Sequence, residues 1–154
     1  CVLEVAHFLQ QVRTMRYVYA IRVNKDYVKF GLANNPIARM AELQTGNAEV
    51  LRMSACIAYP SHQANIIEKV IHACLVLQED DVQGEWFKFS SVARSFISAI
   101  QAEMIGENQA GLWGLFFMHG VSGVGENDWA EMNAWADGVK LEGRAYLRKL
   151  RAVD

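Results

Sequence analysis

RYVYAIRVNKDYVKFGL, residues 16–32, contains two alternating apolar runs on either side of a short polar turn. In the first run Tyr17, Tyr19, Ile21 and Val23 fall on one face of an extended chain. The second run again places an apolar residue at every other position. Two runs of period two, joined by three turn residues, are typical of a β-hairpin. We therefore expect this stretch to form two neighbouring antiparallel strands.

The segments that follow add helices and one more strand to this hairpin. Asn35 and Pro36 predict the start of a helix, with Asn35 as the N-cap and Pro36 at the first helical position. The run VLRMSACIAY, residues 50–59, predicts a third strand, and Ser61 is expected to cap a long helix over residues 62–78. The pattern predicts an α+β fold, in which a small three-stranded antiparallel sheet is flanked by helices.

Two later segments decide where this first unit ends. The acidic stretch 79–84 predicts a loop, and EWFKF, residues 85–89, predicts a short strand or extended segment. Another helix, capped by Ser90 or Ser91, closes the unit. We therefore expect one domain over residues 13–105.

Residues 106–154 predict a C-terminal helical extension. Within it the segment 111–125 is apolar and interrupted by glycines, without a clear helical or strand period. Such a run suits a loop that covers the core, or an exposed patch that makes a homo-oligomer or binds a protein partner. Gly138 predicts a break between two helices of this extension.

Composition narrows the class of protein. Apolar residues make up 52% and charged residues 21% of the 154, which excludes a disordered chain. No apolar run approaches 18 residues, so we expect no membrane span. The three cysteines follow no CxxC spacing, which argues against a disulfide scaffold or a zinc ribbon and suits the cytoplasm.

Charge is divided unevenly along the chain. The formal net charge is −2, which is unlike that of a typical nucleic-acid-binding protein. Residues 13–52, however, carry seven Lys or Arg against three Asp or Glu, and residues 140–151 carry five against one. Residues 68–85 carry five acids against one lysine. Such blocks are either ordinary solvated surface or sites for phosphates and metal ions.

A series of short motifs recurs in a recognisable order. They are Val18-Tyr19-Ala20, Lys29-Phe30-Gly31, Asn35-Pro36 with Arg39, Leu43-Gln44-Thr45-Gly46-Asn47, Glu68-x-x-x-His72 and Gly84-Glu85-Trp86-Phe87. Their order and spacing resemble the GIY-YIG nuclease superfamily, and within it the T5orf172 branch. The resemblance covers about half of the chain.

The resemblance implies a role for four residues. Tyr19 matches the tyrosine of the first strand motif, and Lys29 stands where the second motif has its tyrosine, a replacement that this branch commonly shows. Arg39 matches the helix arginine that contacts phosphate. Glu68 matches the metal-binding glutamate, with Mg²⁺ (or Mn²⁺) as the cation. The chemistry of these groups is compatible: a carboxylate suits Mg²⁺, and a guanidinium suits two phosphate oxygens.

The general base is open among three candidates. Tyr19 serves as a base if its pKa is lowered, and Lys29 does so if burial removes its proton. His72 lies four residues after Glu68, on the same side of the helix, and is a further catalytic candidate. On spacing alone, Glu68 and His72 also fit an ordinary exposed or hydrogen-bonded pair.

Basic residues outside these motifs are candidate DNA contacts. Arg22 belongs to the first strand, and Arg144 and Arg148 share a basic face of the last predicted helix. Such a face can follow a DNA backbone, and it can equally be the solvated side of an amphipathic helix.

Two functions of different classes remain. The first is a metal-dependent DNA endonuclease of phage or bacterial type, with Tyr19, Lys29, Arg39 and Glu68 at its centre. The second is a catalytically weak or inactive binding protein that grips nucleic acid or a protein partner, for example a phage inhibitor of a host system. The acidic stretch 79–83 and the net charge favour the second.

Overall fold

A computed structural model describes residues 2–6, 14–106, 110–121, 124–125 and 128–153, without the side chains of 110 and 144–153. The five strands are β1 (Met15–Val23), β2 (Tyr27–Ala33), β3 (Leu51–Pro60), β4 (Asp81–Gln83) and β5 (Trp86–Lys88). The helices are α1 (Pro36–Thr45), α2 (Ser61–Leu77), α3 (Ser91–Met104), α4 (Ala110–Met118) and α5 (Trp129–Val153). Residues 2–6 form a short helical segment.

The strands form one antiparallel sheet in the order β3-β1-β2-β5-β4. The predicted hairpin is confirmed, because β1 and β2 pair from Tyr17 with Ala33 to Val23 with Tyr27. Asn24 at its turn has a φ of 47°, and its side-chain oxygen accepts a hydrogen bond from the backbone N–H of Asp26 at 2.7 Å. Asparagine tolerates this left-handed conformation and closes the turn with its own side chain.

The two faces of the sheet are covered differently. On one face, Val18, Ala20, Val28 and Phe30 pack in the main core with α2 and α3. On the other, Tyr19, Ile21 and Leu51 belong to a smaller cluster that includes residues of α1. The alternation of side chains along β1 and β2 therefore separates two hydrophobic cores.

The α+β class is confirmed, but the sheet has five strands rather than three. The segment 79–84 predicted a loop, and part of it instead forms β4, which pairs with β5 and extends the sheet beside β2. Gly84 allows the tight connection, since it has a φ of +58° that other residues rarely adopt. The charges of this segment obscured a short edge strand whose neighbours stabilise it.

Helix starts are confirmed in part. Asn35 caps α1 by accepting a hydrogen bond from the N–H of Ala38 at 3.1 Å, and Ser90 caps α3 through the N–H of Ala93. The predicted cap at Ser61 is wrong: α2 begins at Ser61 itself after Pro60, and no side chain caps it. The Ser61 hydroxyl instead donates to the carbonyl of Thr14.

The C-terminal part is more helical than its sequence indicated. The apolar run holds a helix, α4, whose Leu112 and Phe116 are buried in the main core. Its uniform apolarity left no helical period to detect. The predicted break at Gly138 is wrong, because α5 continues through it while packing along α2. Packing offsets the roughly 1 kcal/mol that a glycine costs inside a helix. Among the described residues, no helix combines the length and apolarity needed to cross a bilayer.

Candidate active site at the open edge of the sheet

The site begins where β5 stops pairing with β2. The last pair is Lys29 with Trp86, and the backbone N–H of Phe30 still donates to the carbonyl of Glu85 at 3.3 Å. Beyond this point no strand of the described residues covers the edge of β2. Side chains from both faces of the sheet therefore converge here.

Tyr19 lies across β2 at Gly31. The two residues are register partners, and a Cβ on Gly31 would lie 2.6 Å from Cζ of Tyr19. Only glycine leaves room for the ring, which explains the third residue of the Lys29-Phe30-Gly31 motif. Tyr19 is 1% exposed. Burial, ahead of the nearby charges of Glu85 and Glu68, raises its pKa above the ordinary value of 10.

Lys29 points to the same face as Tyr19 and is 7% exposed. Its ammonium lies 2.7 Å from Oε2 of Glu85 and 5.8 Å from the centroid of the Trp86 ring. A buried cation needs such a partner. Lys29 therefore lies in an ion pair with Glu85, and its role as a base stays a prediction.

Arg39 is presented by the first turn of α1, next to the Asn35 cap. Its guanidinium lies 3.0 Å from Oε2 of Glu42, and its side chain is largely exposed. Hydrogen bonds to Glu42 and, second, to Tyr19 raise the pKa of Arg39. The hydrogen bond to Tyr19 links the exposed arginine to the buried tyrosine.

Glu68 and His72 reach the site from α2, on the other face of the sheet. Glu68 is 9% exposed, and burial followed by the charge of Glu85 raises its pKa from 4.5 to about 7. Lys140, Arg16 and Lys29 oppose this increase, in that order. The carboxyl group is thus held in an apolar environment with cations around it.

His72 lies behind Glu68, away from solvent. Its Nδ1 is 3.5 Å from Oε1 of Glu68, and its Nε2 is 2.6 Å from the carbonyl oxygen of Phe30. Burial lowers its pKa to about 4, so the ring is neutral near pH 7. A neutral ring that donates from Nε2 to this carbonyl keeps its Nδ1 lone pair towards Glu68. That lone pair can accept a hydrogen bond from the carboxyl group only while Glu68 is protonated. His72 is 2% exposed, and its catalytic role stays a prediction.

The structure brings together five predicted site residues, Tyr19, Lys29, Arg39, Glu68 and His72. It does not place Arg22 with them. Arg22 alternates with Val18 and Ala20, so it lies on the opposite face of the sheet from Tyr19 and Lys29. The side chains of Arg144 and Arg148 lie outside the described residues, and their predicted DNA contacts stay predictions.

Lys140 is a member of the site, although the sequence indicated it only as part of the basic block 140–151. It comes from α5 and lines a cavity of about 250 Å³ with His72, Val76, Gly84 and Phe87. Its charge is the largest that lowers the pKa of Glu68. No local motif signals this, because it depends on how α5 docks against α2.

The carboxylate oxygens of Glu68 are donor atoms of the kind that Mg²⁺ takes. Among the described residues, no three His, Cys, Asp or Glu side chains gather as ligands. Zn²⁺ structural sites need such a group, whereas Mg²⁺ is held by one or two carboxylates and keeps several waters. A nearly buried carboxylate with a raised pKa is also one that a bound cation would stabilise.

One comparison with known proteins places the fold in a family. The model of the T5orf172 domain matches residues 15–103, which is more than half of the chain. No curated protein and no solved structure matches this chain. The matched segment begins with β1 and ends in α3, so it contains the five site residues and leaves out α4 and α5. The chain therefore belongs to the T5orf172 domain family, the GIY-YIG-like branch that its motifs resemble.

Proposed function

We propose that this protein is a metal-dependent endonuclease that hydrolyses phosphodiester bonds in DNA. The observation that carries the proposal is the nearly buried carboxyl group of Glu68, set among Lys29, Lys140 and Arg16 at the open edge of β2. A phosphodiester needs a cation near its developing charge and cationic side chains for its oxygens. Membership of the T5orf172 family supports the same reaction class.

Glu68 is the residue that would hold the divalent cation. A bound Mg²⁺ supplies positive charge for the phosphate oxygens in the transition state. Glu68 must be ionised for this, and its pKa is about 7. Cleavage should therefore slow as the pH falls below 7.

Lys29 and Arg39 bind the phosphate by exchanging partners. In this structure Lys29 is paired with Glu85 and Arg39 with Glu42. Both acids are substantially exposed, so each carboxylate stays solvated when a phosphate oxygen takes its place. The buried Lys29 ammonium keeps an anionic partner throughout the exchange. The guanidinium then takes two oxygens and the ammonium takes one.

Tyr19 orients the attacking water. Its hydroxyl group is hydrogen-bonded to Arg39 and lies near the charges of Glu68 and Glu85. Because its pKa is raised, Tyr19 stays protonated in the resting protein and holds a water by hydrogen bonds, and the proton of that water passes to solvent hydroxide. Removal of the proton from the water becomes easier as the pH rises. Comparing the pH profile of cleavage by Tyr19→Phe with that of the wild-type protein would report this.

Nicking of supercoiled plasmid with Mg²⁺ or Mn²⁺ tests the proposal. We expect Glu68→Gln to lower the rate about 100- to 1000-fold, since several kcal/mol of charge stabilisation are lost. Glu131→Gln, at an exposed position in α5, serves as the control and should cleave normally. Equal cleavage by the wild-type protein and Glu68→Gln would contradict the site.

The second candidate is a binding protein that grips nucleic acid or a protein without cleaving. Two observations favour it: Lys29 is already paired with Glu85, and the pKa of Tyr19 is raised. This candidate predicts DNA or partner binding without nicking under either metal. A protein partner or second copy at residues 111–125 stays a prediction of the same kind.

A further inference from the structure

Three arginines gather on the face of the sheet opposite Tyr19 and Lys29. Arg22 in β1 and Arg52 in β3 are register partners, so their side chains leave the same face side by side. Arg94, in the first turn of α3, shares the Phe89 ring with Arg22. The two guanidinium carbons lie 5.1 Å and 3.8 Å from the ring centroid, respectively. We call Arg22, Arg52 and Arg94 the arginine patch.

The arginine patch has no acidic partner among the described residues. The ion pairs of this part of the chain involve other cations, and Nε of Arg22 is buried without a hydrogen-bond partner. Like charges directly opposite each other in a sheet are destabilising. Stacking on Phe89 offsets this for two of the three, but it leaves the hydrogen-bonding edges of the guanidinium groups unused.

The space in front of two members of the arginine patch, Arg22 and Arg52, suits an anion. Arg22 and Arg52 line a concavity of about 410 Å³ together with Lys25, Asn24 and Ser54. These add an ammonium, an amide and a hydroxyl group to the two guanidinium groups. The acid on this wall, Glu49, accepts a hydrogen bond from Asn24 at 2.8 Å.

We propose that the arginine patch binds the phosphodiester backbone of a nucleic acid. Guanidinium forks match phosphate oxygens, and an extended polyanion can bridge three cations at once. The choice of nucleic acid as the polyanion rests on the proposed function. The arginine patch lies on the face of the sheet opposite Tyr19 and Lys29. The protein therefore holds nucleic acid at two places, the open edge of β2 and this patch. This second contact offsets the weak attraction expected from a net charge of −2.

The test measures binding without cleavage. A fluorescent DNA duplex is titrated with the Glu68→Gln protein in the absence of divalent metal, at several NaCl concentrations. Each phosphate contact contributes about 0.9 to the slope of log K against log salt. We expect Arg52→Gln with Arg94→Gln to reduce that slope by about 2. Both side chains are exposed, so the variant should fold, and its thermal midpoint checks this.

Two controls isolate the position and the charge. Arg52→Lys with Arg94→Lys keeps both charges and should keep the slope. Lys69→Gln with Lys88→Gln removes the same net charge elsewhere: Lys69 pairs with Asp137, and Lys88 lies in β5. It should leave the slope nearly unchanged.

The outcomes separate this inference from the endonuclease. An unchanged slope in the Arg52→Gln, Arg94→Gln protein would overturn the patch, even if the wild-type chain nicks plasmid. A reduced slope supports it, even if no cleavage is found. Polyglutamate that competes as strongly as DNA of equal charge would overturn the assignment to nucleic acid, since the patch would then bind any polyanion.

Discussion

Glu68 and His72 are neighbouring buried residues whose pKa values are shifted in opposite directions. Burial raises the pKa of Glu68 from 4.5 to about 7 and lowers that of His72 from 6.5 to about 4. Between these values the folded protein carries a proton on Glu68 and none on His72, whereas the unfolded chain does the reverse. The number of bound protons is then nearly equal in both states, so the two contributions to the pH dependence of stability cancel.

Single substitutions should separate the two effects. In Glu68→Gln only His72 remains, so the free energy of unfolding should fall as the pH drops from 6.5 to 4. In His72→Gln only Glu68 remains, so it should fall as the pH rises from 4.5 to 7. Each slope should be about 1.4 kcal/mol per pH unit at most, the value for one proton. Urea unfolding followed by tryptophan fluorescence measures both slopes. If the free energy of unfolding changed with pH in the same direction in the two variants, the opposite pKa shifts of Glu68 and His72 would be disproved.

Gly31 is the residue on which the position of Tyr19 depends. A methyl group there meets a ring that is buried and has no room to move. We expect Gly31→Ala to lower the free energy of unfolding by about 1–3 kcal/mol and to abolish nicking. Gly46→Ala is the matched control, because a Cβ there meets nothing within 4 Å. Equal thermal midpoints for the two variants would show that the ring shifts freely.

At the scale of elements, Gln44 connects the end of α1 to the start of β3. Its amide group donates to the carbonyls of Asn47 at 3.2 Å and Glu49 at 2.9 Å, and its Oε1 accepts from the N–H of Leu51 at 2.8 Å. The Leu43-Gln44-Thr45-Gly46-Asn47 motif therefore has a structural role. It holds the helix that carries Arg39 against the sheet.

Removing this connection should cost more than removing an ordinary glutamine contact. Gln44→Leu leaves the N–H of the buried Leu51 without a partner, so we expect the free energy of unfolding to fall by about 2 kcal/mol. Gln101→Leu removes one hydrogen bond, to the carbonyl of Ser54, and should cost under about 1 kcal/mol. Chemical denaturation of both variants provides the comparison; a smaller loss for Gln44 would contradict the argument.

At the scale of the whole molecule, α5 completes the site through its contact with α2. Gly143 allows the approach, since a Cβ there would overlap Cγ1 of Val76, a stiff β-branched side chain. Gly138, in the same helix, faces open space. Lys140 lies between them, so the docking of α5 determines where this cation sits relative to Glu68.

These two glycines make a matched pair. Gly138→Ala should stabilise the protein by up to about 1 kcal/mol through helix propensity. Gly143→Ala gains the same propensity but displaces α5, so it should be less stable than Gly138→Ala by about 1–3 kcal/mol. It should also nick DNA more slowly. Thermal midpoints that rise equally in both variants would show that α5 does not pack closely on α2.

Prediction from sequence succeeded where the physical cause lies between near neighbours. The period of two in residues 16–32 requires only that one face be buried, and the cap at Asn35 requires only the adjacent backbone. It failed at β4, at α4 and at Gly138, where contacts with distant elements outweigh local propensity. Lys140 was missed as a site residue for the same reason.

The sequence by itself determined the α+β class, the hairpin, the capped helix of Arg39 and the motif residues of the T5orf172 family. Only the tertiary structure decided what those residues can do. Lys29 meets Glu85 across 56 positions, and His72 meets the carbonyl of Phe30 across 42. Burial then displaces the pKa values of Tyr19, Glu68 and His72. Backbone periodicity is a local property, whereas desolvation and ion pairing depend on what distant segments bring to the same place.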